Sequence, residues 1–252
     1  MDLGLKGRKA MVTGGTRGIG RAIAERLAME GADVAICARN GDEVVEAVAA
    51  LEGLGVKATG ASIDVSDAGA LKGWINDAAG ELGGLEILVP NVSAMAGNRE
   101  EDWRLSFEID IMGTINTIDT ALPFLEKSDA GAVVVINSVA ALQYFGGVRS
   151  YSTVKAALIN HVSNLAHAYA PKGLRFNSVS PGTIFFEGGV WHQREREMPE
   201  AYKTALNFNP MGRMGTPQEV ANAAVFLVSP MASFITGTNL LVDGAATPSV
   251  QY

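Results

Sequence analysis

Short runs of apolar, often β-branched residues recur along the chain, separated by segments whose apolar positions fall three or four apart. The runs are Ala10–Thr13, Val34–Ala38, Lys57–Ile63, Leu85–Val89, Ala132–Asn137 and Leu174–Val179, with a last one near Asn239–Val242. They are close to continuously apolar rather than alternating, the pattern of strands covered on both faces. Between them the spacing is helical. Ile19, Ala22, Ile23, Leu27 and Ala28 form one stripe, with Arg21, Glu25, Arg26 and Glu30 on the other side. Strand and helix in alternation predict an α/β fold, a doubly wound parallel sheet built from right-handed crossovers.

Local signals set the boundaries. Gly31 follows the first helix, Ser66-Asp67 is suited to cap a helix over Ala68–Leu82, and Thr216-Pro217 joins an N-cap hydroxyl to proline at the first helical position. Ser150 and Ser152 stand at the start of a long helix that ends before Pro171. No linker, repeat or low-complexity tract divides the chain, so residues 1–252 are expected to form one domain.

Composition narrows the setting. Hydrophobic residues at 48% and charged residues at 19% promise a large core and exclude disorder. A net charge of -7 argues against a nucleic-acid partner. The single cysteine, Cys37, excludes an internal disulfide framework and a Cys-rich zinc site, and His161 and His167 lack metal-pair spacing, so no metal is expected. The first residues lack a signal-peptide core and no apolar run reaches bilayer length; a cytoplasmic protein without membrane attachment is expected.

Thr13-Gly14-Gly15-Thr16-Arg17-Gly18-Ile19-Gly20 joins the first strand to the first helix. Glycines there allow a tight turn and a close approach to a pyrophosphate, while free helix amides face the anion. The spacing differs from Gly-x-Gly-x-x-Gly, but its place after the first strand points to a dinucleotide. At the end of the second strand, Cys37-Ala38-Arg39-Asn40 offers no carboxylate to a ribose diol. Arg39, helped by Arg17, can pair with a 2′-phosphate, which favours NADP(H) over NAD(H).

Tyr151 and Lys155 lie four apart at the head of a long helix, on one face and one turn apart. The ammonium is expected to lower the phenol pKa and make Tyr151 a proton donor and acceptor near neutral pH. Val133–Ser138 reads as a buried strand ending in a hydroxyl at a carboxyl end, where open α/β sheets place ligands.

With these motifs, Asp64-Val65, Pro181-Gly182, Ile235-Thr236-Gly237 and Val242-Asp243-Gly244, the chain resembles the short-chain dehydrogenase/reductase superfamily over nearly its whole length, in the compact 3-oxoacyl-reductase-like branch. The resemblance implies a Rossmann-type sheet with helices on both faces. It implies that Tyr151 transfers the proton, that Ser138 holds the substrate oxygen, and that Lys155 binds the nicotinamide ribose and lowers the tyrosine pKa. It assigns the cofactor to Gly14, Thr16, Arg17, Gly18, Ile19, Gly20, Arg39, Asn91, Tyr151 and Lys155. Asp64 and Val65 go against the adenine, with Pro181, Gly182 and Ile184 beside the nicotinamide.

Three positions depart from the family pattern. Pro90-Asn91-Val92-Ser93 stands where Asn-Asn-Ala-Gly is usual, keeping the asparagine and losing the glycine's access to positive φ. Asp110 replaces the usual asparagine that anchors a proton-relay water. Near Lys155 its charge is expected to favour the ammonium, weaken the pull on Tyr151 and give a slower or alkaline-shifted reaction. Phe185-Phe186 follows Pro181-Gly182-Thr183-Ile184 without the threonine that often holds the carboxamide.

The reading that follows is an NADP(H)-dependent oxidoreductase interconverting a secondary alcohol and a ketone, with Ser138, Tyr151, Lys155 and Asp110 as the catalytic set. Residues 185–211 are expected to form a lid whose Phe185 and Trp191, with Gln143, Tyr144, Ser138 and Tyr151, meet a small apolar or aromatic substrate. His192 is expected to be exposed or capping, and Arg194–Glu197 a solvated face. The stripe Val154, Leu158, Val162, Leu165, Tyr169 and the hydrophobic C-terminal strand suggest self-association, and the resemblance implies a homotetramer. A dinucleotide-binding scaffold or redox sensor without turnover is the rival reading; a hydrolase is a weak third, lacking a Gly-x-Ser-x-Gly turn.

Overall fold

A computed structural model describes residues 2–144 and 147–248. The seven apolar runs become seven strands: β1 (Lys9–Thr13), β2 (Asp33–Ala38), β3 (Ala58–Ser62), β4 (Ile87–Val89), β5 (Ala132–Ile136), β6 (Arg175–Pro181) and β7 (Asn239–Val242). All pair in parallel, in the order β3-β2-β1-β4-β5-β6-β7. The order reverses between β1 and β4, so their carboxyl ends part and open a crevice at the switch point.

Helices α1 (Gly18–Met29), α2 (Gly41–Glu52), α3 (Ala68–Leu82), α4 (Glu100–Ser106), α5 (Gly113–Leu125), α6 (Ser150–Tyr169) and α9 (Pro217–Val228) connect the strands, with α7 (Val190–Glu197) and α8 (Pro199–Phe208) in the segment before α9. Because strand side chains alternate in direction, each strand feeds two cores. Ala10 and Val12 pack with α1 and α9, whereas Met11 faces the layer of α3, α5 and α6. Val134 and Ile136 divide from Val133 and Val135 in the same way.

The α6 stripe is covered from within. Leu158 and Val162 are buried in the second core, and Leu165 and Tyr169 pack at its edge. The stripe therefore seals the helix against its own sheet, and the expectation that it mediates self-association is corrected. Helical periodicity tells which face is apolar, not what covers it.

Helix starts follow the local signals. The Asp67 carboxylate accepts from the Ala70 amide at 3.0 Å, and Asn40 Oδ1 accepts from the Asp42 amide at 3.0 Å. At Thr216 a capping box forms: Thr216 Oγ1 accepts from the Glu219 amide at 3.3 Å, and Glu219 Oε2 accepts from the Thr216 amide at 2.8 Å. Arg213 also pairs with Glu219 at 2.6 Å, and this holds its carboxyl down to about 2. The segment from 185 to 211, the expected lid, is largely helical. Its two ends are stitched together, with the Phe185 amide donating to Gly215 O and the Gly215 amide to Thr183 O, both at 2.9 Å. Among the described residues, no helix is long and apolar enough to cross a membrane.

Arg175 ties β6 to the end of α9. Its guanidinium is buried and donates to Leu227 O at 2.5 Å, Val228 O at 3.1 Å and Ser229 O at 3.0 Å. Ser229 O also accepts from the Ala232 amide at 3.0 Å, whereas Leu227 O and Val228 O have no partners within the helix. Replacing Arg175 by leucine is expected to cost roughly 2–4 kcal/mol by leaving them dry and unpaired. Thermal unfolding followed by circular dichroism checks this; a midpoint equal to that of the native chain contradicts it.

Candidate functional site

The turn from β1 to α1 is shaped by backbone contacts that exclude side chains. The Gly14 and Gly15 amides donate to Cys37 O at 2.7 and 3.2 Å, tying the turn to β2. Gly14 and Gly18 adopt φ of 68° and 56°, a region costly for other residues. A Cβ on Gly20 would lie 2.1 Å from Gly14 O, a clash with backbone that nothing can relieve. Asn91 braces the turn from β4: its amide donates to Thr13 Oγ1 at 3.0 Å, and its Nδ2 donates to Thr13 O at 3.1 Å and Gly14 O at 3.2 Å. Arg17 occupies the N-cap of α1 without a side-chain cap, so the first amides of the helix are left for an anion.

A cavity of about 580 Å³ runs from this turn along the carboxyl ends of the central strands. It brings together most of the residues expected from the sequence: Gly14, Arg17, Gly18, Ile19, Gly20, Arg39, Asp64, Val65 and Asn91 at one end and along the floor, Ser138, Tyr151, Lys155, Pro181, Gly182, Ile184 and Trp191 at the other. The guanidinium groups of Arg17 and Arg39 are engaged in no hydrogen bond or ion pair among the described residues. The Asp64 carboxyl lies below the usual range because the Ser66 amide and hydroxyl donate to it, with Arg39 adding to the pull.

Five expected residues lie off the cavity wall. Thr16 turns its hydroxyl to Glu43 Oε2 at 3.0 Å. Gln143 donates through Nε2 to Thr247 Oγ1 at 3.2 Å, and Tyr144 is 78% exposed. Phe185 packs edge-on against His192 and Tyr202, with centroids at 5.9 and 6.3 Å, and so builds the interior of the segment carrying α7 and α8. His192 itself accepts from the Gly188 amide through Nδ1 at 3.0 Å, the capping role expected. Asp110 is wholly buried behind Lys155.

Two wall residues carry more weight than the sequence suggested. Phe186 rests on the phosphate turn, so close that a Cβ on Gly18 would lie 2.6 Å from its ring. Glu43 also lines the cavity, one turn into α2. Its contact with Thr16 spans 27 positions, and no local pattern announces it. At the altered β4 loop, the positive φ falls on Met95, at 49°, and not on Val92 or Ser93.

Behind Tyr151 the chain buries a charge pair. A π-helical turn, Phe107–Met112, carries Asp110 between α4 and α5. Asp110 Oδ1 lies 3.3 Å from Lys155 Nζ, with both side chains nearly inaccessible. Oδ1 accepts no hydrogen bond, and the two groups are joined as an ion pair. Oδ2 accepts from the Ala94 amide at 3.0 Å, and Lys155 Nζ donates to Ile136 O at 3.1 Å. One pair thus joins the β4 loop, the end of β5, the π turn and α6. Burial pushes the Lys155 ammonium below its ordinary value, and Asp110 pulls it back up.

The lysine nitrogen lies 5.8 Å from the centre of the Tyr151 ring. The phenol pKa is nevertheless raised, first by burial and further by the Asp110 carboxylate, while the Ser138 hydroxyl lowers it in part. The sequence expectation of a lowered phenol is corrected for the coenzyme-free chain. Local spacing counted the ammonium but not the burial of the phenol or the opposing carboxylate. Ser138 caps the short turn after β5, its Oγ accepting from the Ala140 amide at 3.1 Å, and stands at the cavity with Tyr151.

The arrangement fits a dinucleotide. A glycine cradle, free helix amides and two unpaired arginines stand at one end, and a phenol, a hydroxyl and a buried ammonium at the other. Among the described residues no cluster of His, Cys, Asp or Glu is arranged to hold a metal ion.

Comparison with known proteins agrees with this geometry. A family profile described as enoyl-(acyl carrier protein) reductase matches residues 14–247. An isoepoxydon dehydrogenase from Penicillium expansum is 38% identical over 259 residues, covering 100% of this chain and 99% of that protein. The solved L-sorbose reductase from Gluconobacter frateurii, complexed with NADPH and L-sorbose, superposes with a TM-score of 0.91 at 28% identity, covering 99% of this chain and 100% of that one. A 7α-hydroxysteroid dehydrogenase complexed with NADH gives 0.90 at 30% identity, covering 99% and 98%. The chain belongs to the short-chain dehydrogenase/reductase family and is an NAD(P)-dependent oxidoreductase of that family.

Proposed function

We propose that the chain interconverts a secondary alcohol and a ketone, favouring NADP(H) over NAD(H), with Tyr151 as general acid and base. The observation that carries this reading is the meeting of Tyr151, Ser138 and Lys155 on one wall of a cavity whose far end is the glycine turn. When bound, the nicotinamide supplies or takes the hydride. Tyr151 gives its proton to the substrate oxygen in reduction and accepts it in oxidation. Ser138 donates to the same oxygen and stabilises charge as it develops there. Lys155 orients the ribose and lends positive charge, while Asp110 and Ile136 O hold its ammonium in place.

Arg17 and Arg39, unpaired and exposed at the cavity's other end, support recognition of a 2′-phosphate. The NADPH-bound L-sorbose reductase supports the same choice. Around the reacting end the wall is largely apolar, with Met95, Leu105, Ile109, Val190 and Trp191, which supports a small apolar or aromatic substrate. Residues 185–211 act as its lid within a single 1–252 domain. Self-association into a tetramer draws support from exposed Phe107 and Phe234 rather than from α6. A cytoplasmic setting fits the lone buried Cys37.

Two measurements test the reading. Tyr151→Phe is expected to lower turnover roughly 10²–10⁴-fold on a panel of ketones and alcohols, while calorimetry shows NADPH bound as by the native chain. Full activity in that variant contradicts the role of the phenol; native Tyr151 protein that binds NADPH yet turns over nothing on the panel favours the scaffold reading. The second concerns pH. Asp110 raises the Tyr151 pKa, so Asp110→Asn removes a negative charge that opposes the phenolate. The rise of alcohol oxidation with pH, which needs the phenolate, is expected to begin at lower pH in the variant; coincident pH–rate profiles contradict this.

A further inference from the structure

Loss of a carboxylate from the end of β2 was the sequence argument for a 2′-phosphate, yet the fold returns a carboxylate to the same region. Asn40 caps α2, its Oδ1 accepting from the Asp42 and Glu43 amides, and this fixes Glu43 in the first turn of the helix. The Glu43 side chain reaches back to the cavity, where Oε2 accepts from Thr16 Oγ1 at 3.0 Å and Oε1 accepts from Asn40 Nδ2 at 3.2 Å. Thr16 is the neighbour of Arg17 on the phosphate turn, so its hydroxyl is committed to a carboxylate instead of facing an incoming anion. Arg17, Arg39, Glu43 and Asp64 then share one end of the cavity, two positive charges and two negative, with Asp64 already accepting from the Ser66 amide and hydroxyl.

We propose that Glu43 is a coenzyme-specificity residue, whose carboxylate, held by Thr16 and Asn40, opposes a 2′-phosphate and narrows the preference for NADP(H) that Arg39 and Arg17 provide. The inference rests on the coenzyme reading above and sharpens it. A carboxylate accepts readily from a ribose diol and repels a phosphate in its place. Glu43 therefore acts on one coenzyme and not the other: it withholds the Thr16 hydroxyl and adds repulsion against the 2′-phosphate, and it leaves NADH unhindered.

Calorimetric titration of the full chain with adenosine 2′,5′-bisphosphate, adenosine 5′-monophosphate, NADPH and NADH reads this without turnover. Glu43→Gln keeps the side-chain length and an oxygen to accept from Thr16. It is expected to tighten the two 2′-phosphorylated ligands about tenfold and to change the other two by less than about twofold. A purely structural role moves all four alike. Equal changes across the four ligands, or none, overturn the proposal. An Arg39→Ala chain titrated alongside separates the two readings. If it binds NADPH as tightly as the native chain, the arginine argument falls, while Glu43 is still decided by its own ratio.

Discussion

The ammonium of Lys155 lies where almost no water reaches it, and a buried charge must be partnered or lost. Its partners, Asp110 and the carbonyl of Ile136, come from the π turn before α5 and from the end of β5. Asp110 in turn takes the amide of Ala94 from the loop after β4. Three connections at the carboxyl ends of the central strands are thereby held in register with the first turns of α6, which carry Tyr151. The ion pair is the hinge between packing and chemistry: it keeps the lysine in place, and its carboxylate adds to the rise of the phenol pKa.

The opposite end of the cavity follows a different rule. There the chain presents backbone rather than side chains, with glycines at Gly14, Gly18 and Gly20 and uncapped helix amides. Selectivity is added around this cradle by long side chains from the ends of β2 and the start of α2. Arg39 and Glu43 are four residues apart with opposite charges, so in the proposed reading coenzyme preference is a difference between two local terms. Phe186 closes the cradle from above and links the segment carrying α7 and α8 to the phosphate turn.

Much of this was legible in the chain. Strands buried on both faces announce themselves as continuous apolar runs, and β2, β5 and α3 begin and end within a residue of their expected limits. The glycine turn, Ser138, Tyr151 and Lys155 were readable because each is tied to a strand end or a helix start. What stayed hidden depends on distance in sequence. The Thr16–Glu43 hydrogen bond and the Asp110–Lys155 pair join residues that only the crossovers bring together. The apolar face of α6 could be located by period but not assigned to its own sheet. The sign of the Tyr151 shift was missed because a helical i,i+4 pair at an exposed surface and the same pair packed into the wall of a cavity beside a buried carboxylate behave differently.

The central claim is that burial and Asp110 together outweigh the Ser138 hydrogen bond at the phenol and hold its pKa above the ordinary value. Ultraviolet difference titration, subtracting Tyr151→Phe from the native coenzyme-free chain, isolates Tyr151 from the other tyrosines. The account predicts that its phenolate absorbance appears above the pH at which an ordinary tyrosine ionises. Ionisation of Tyr151 below that pH would contradict it.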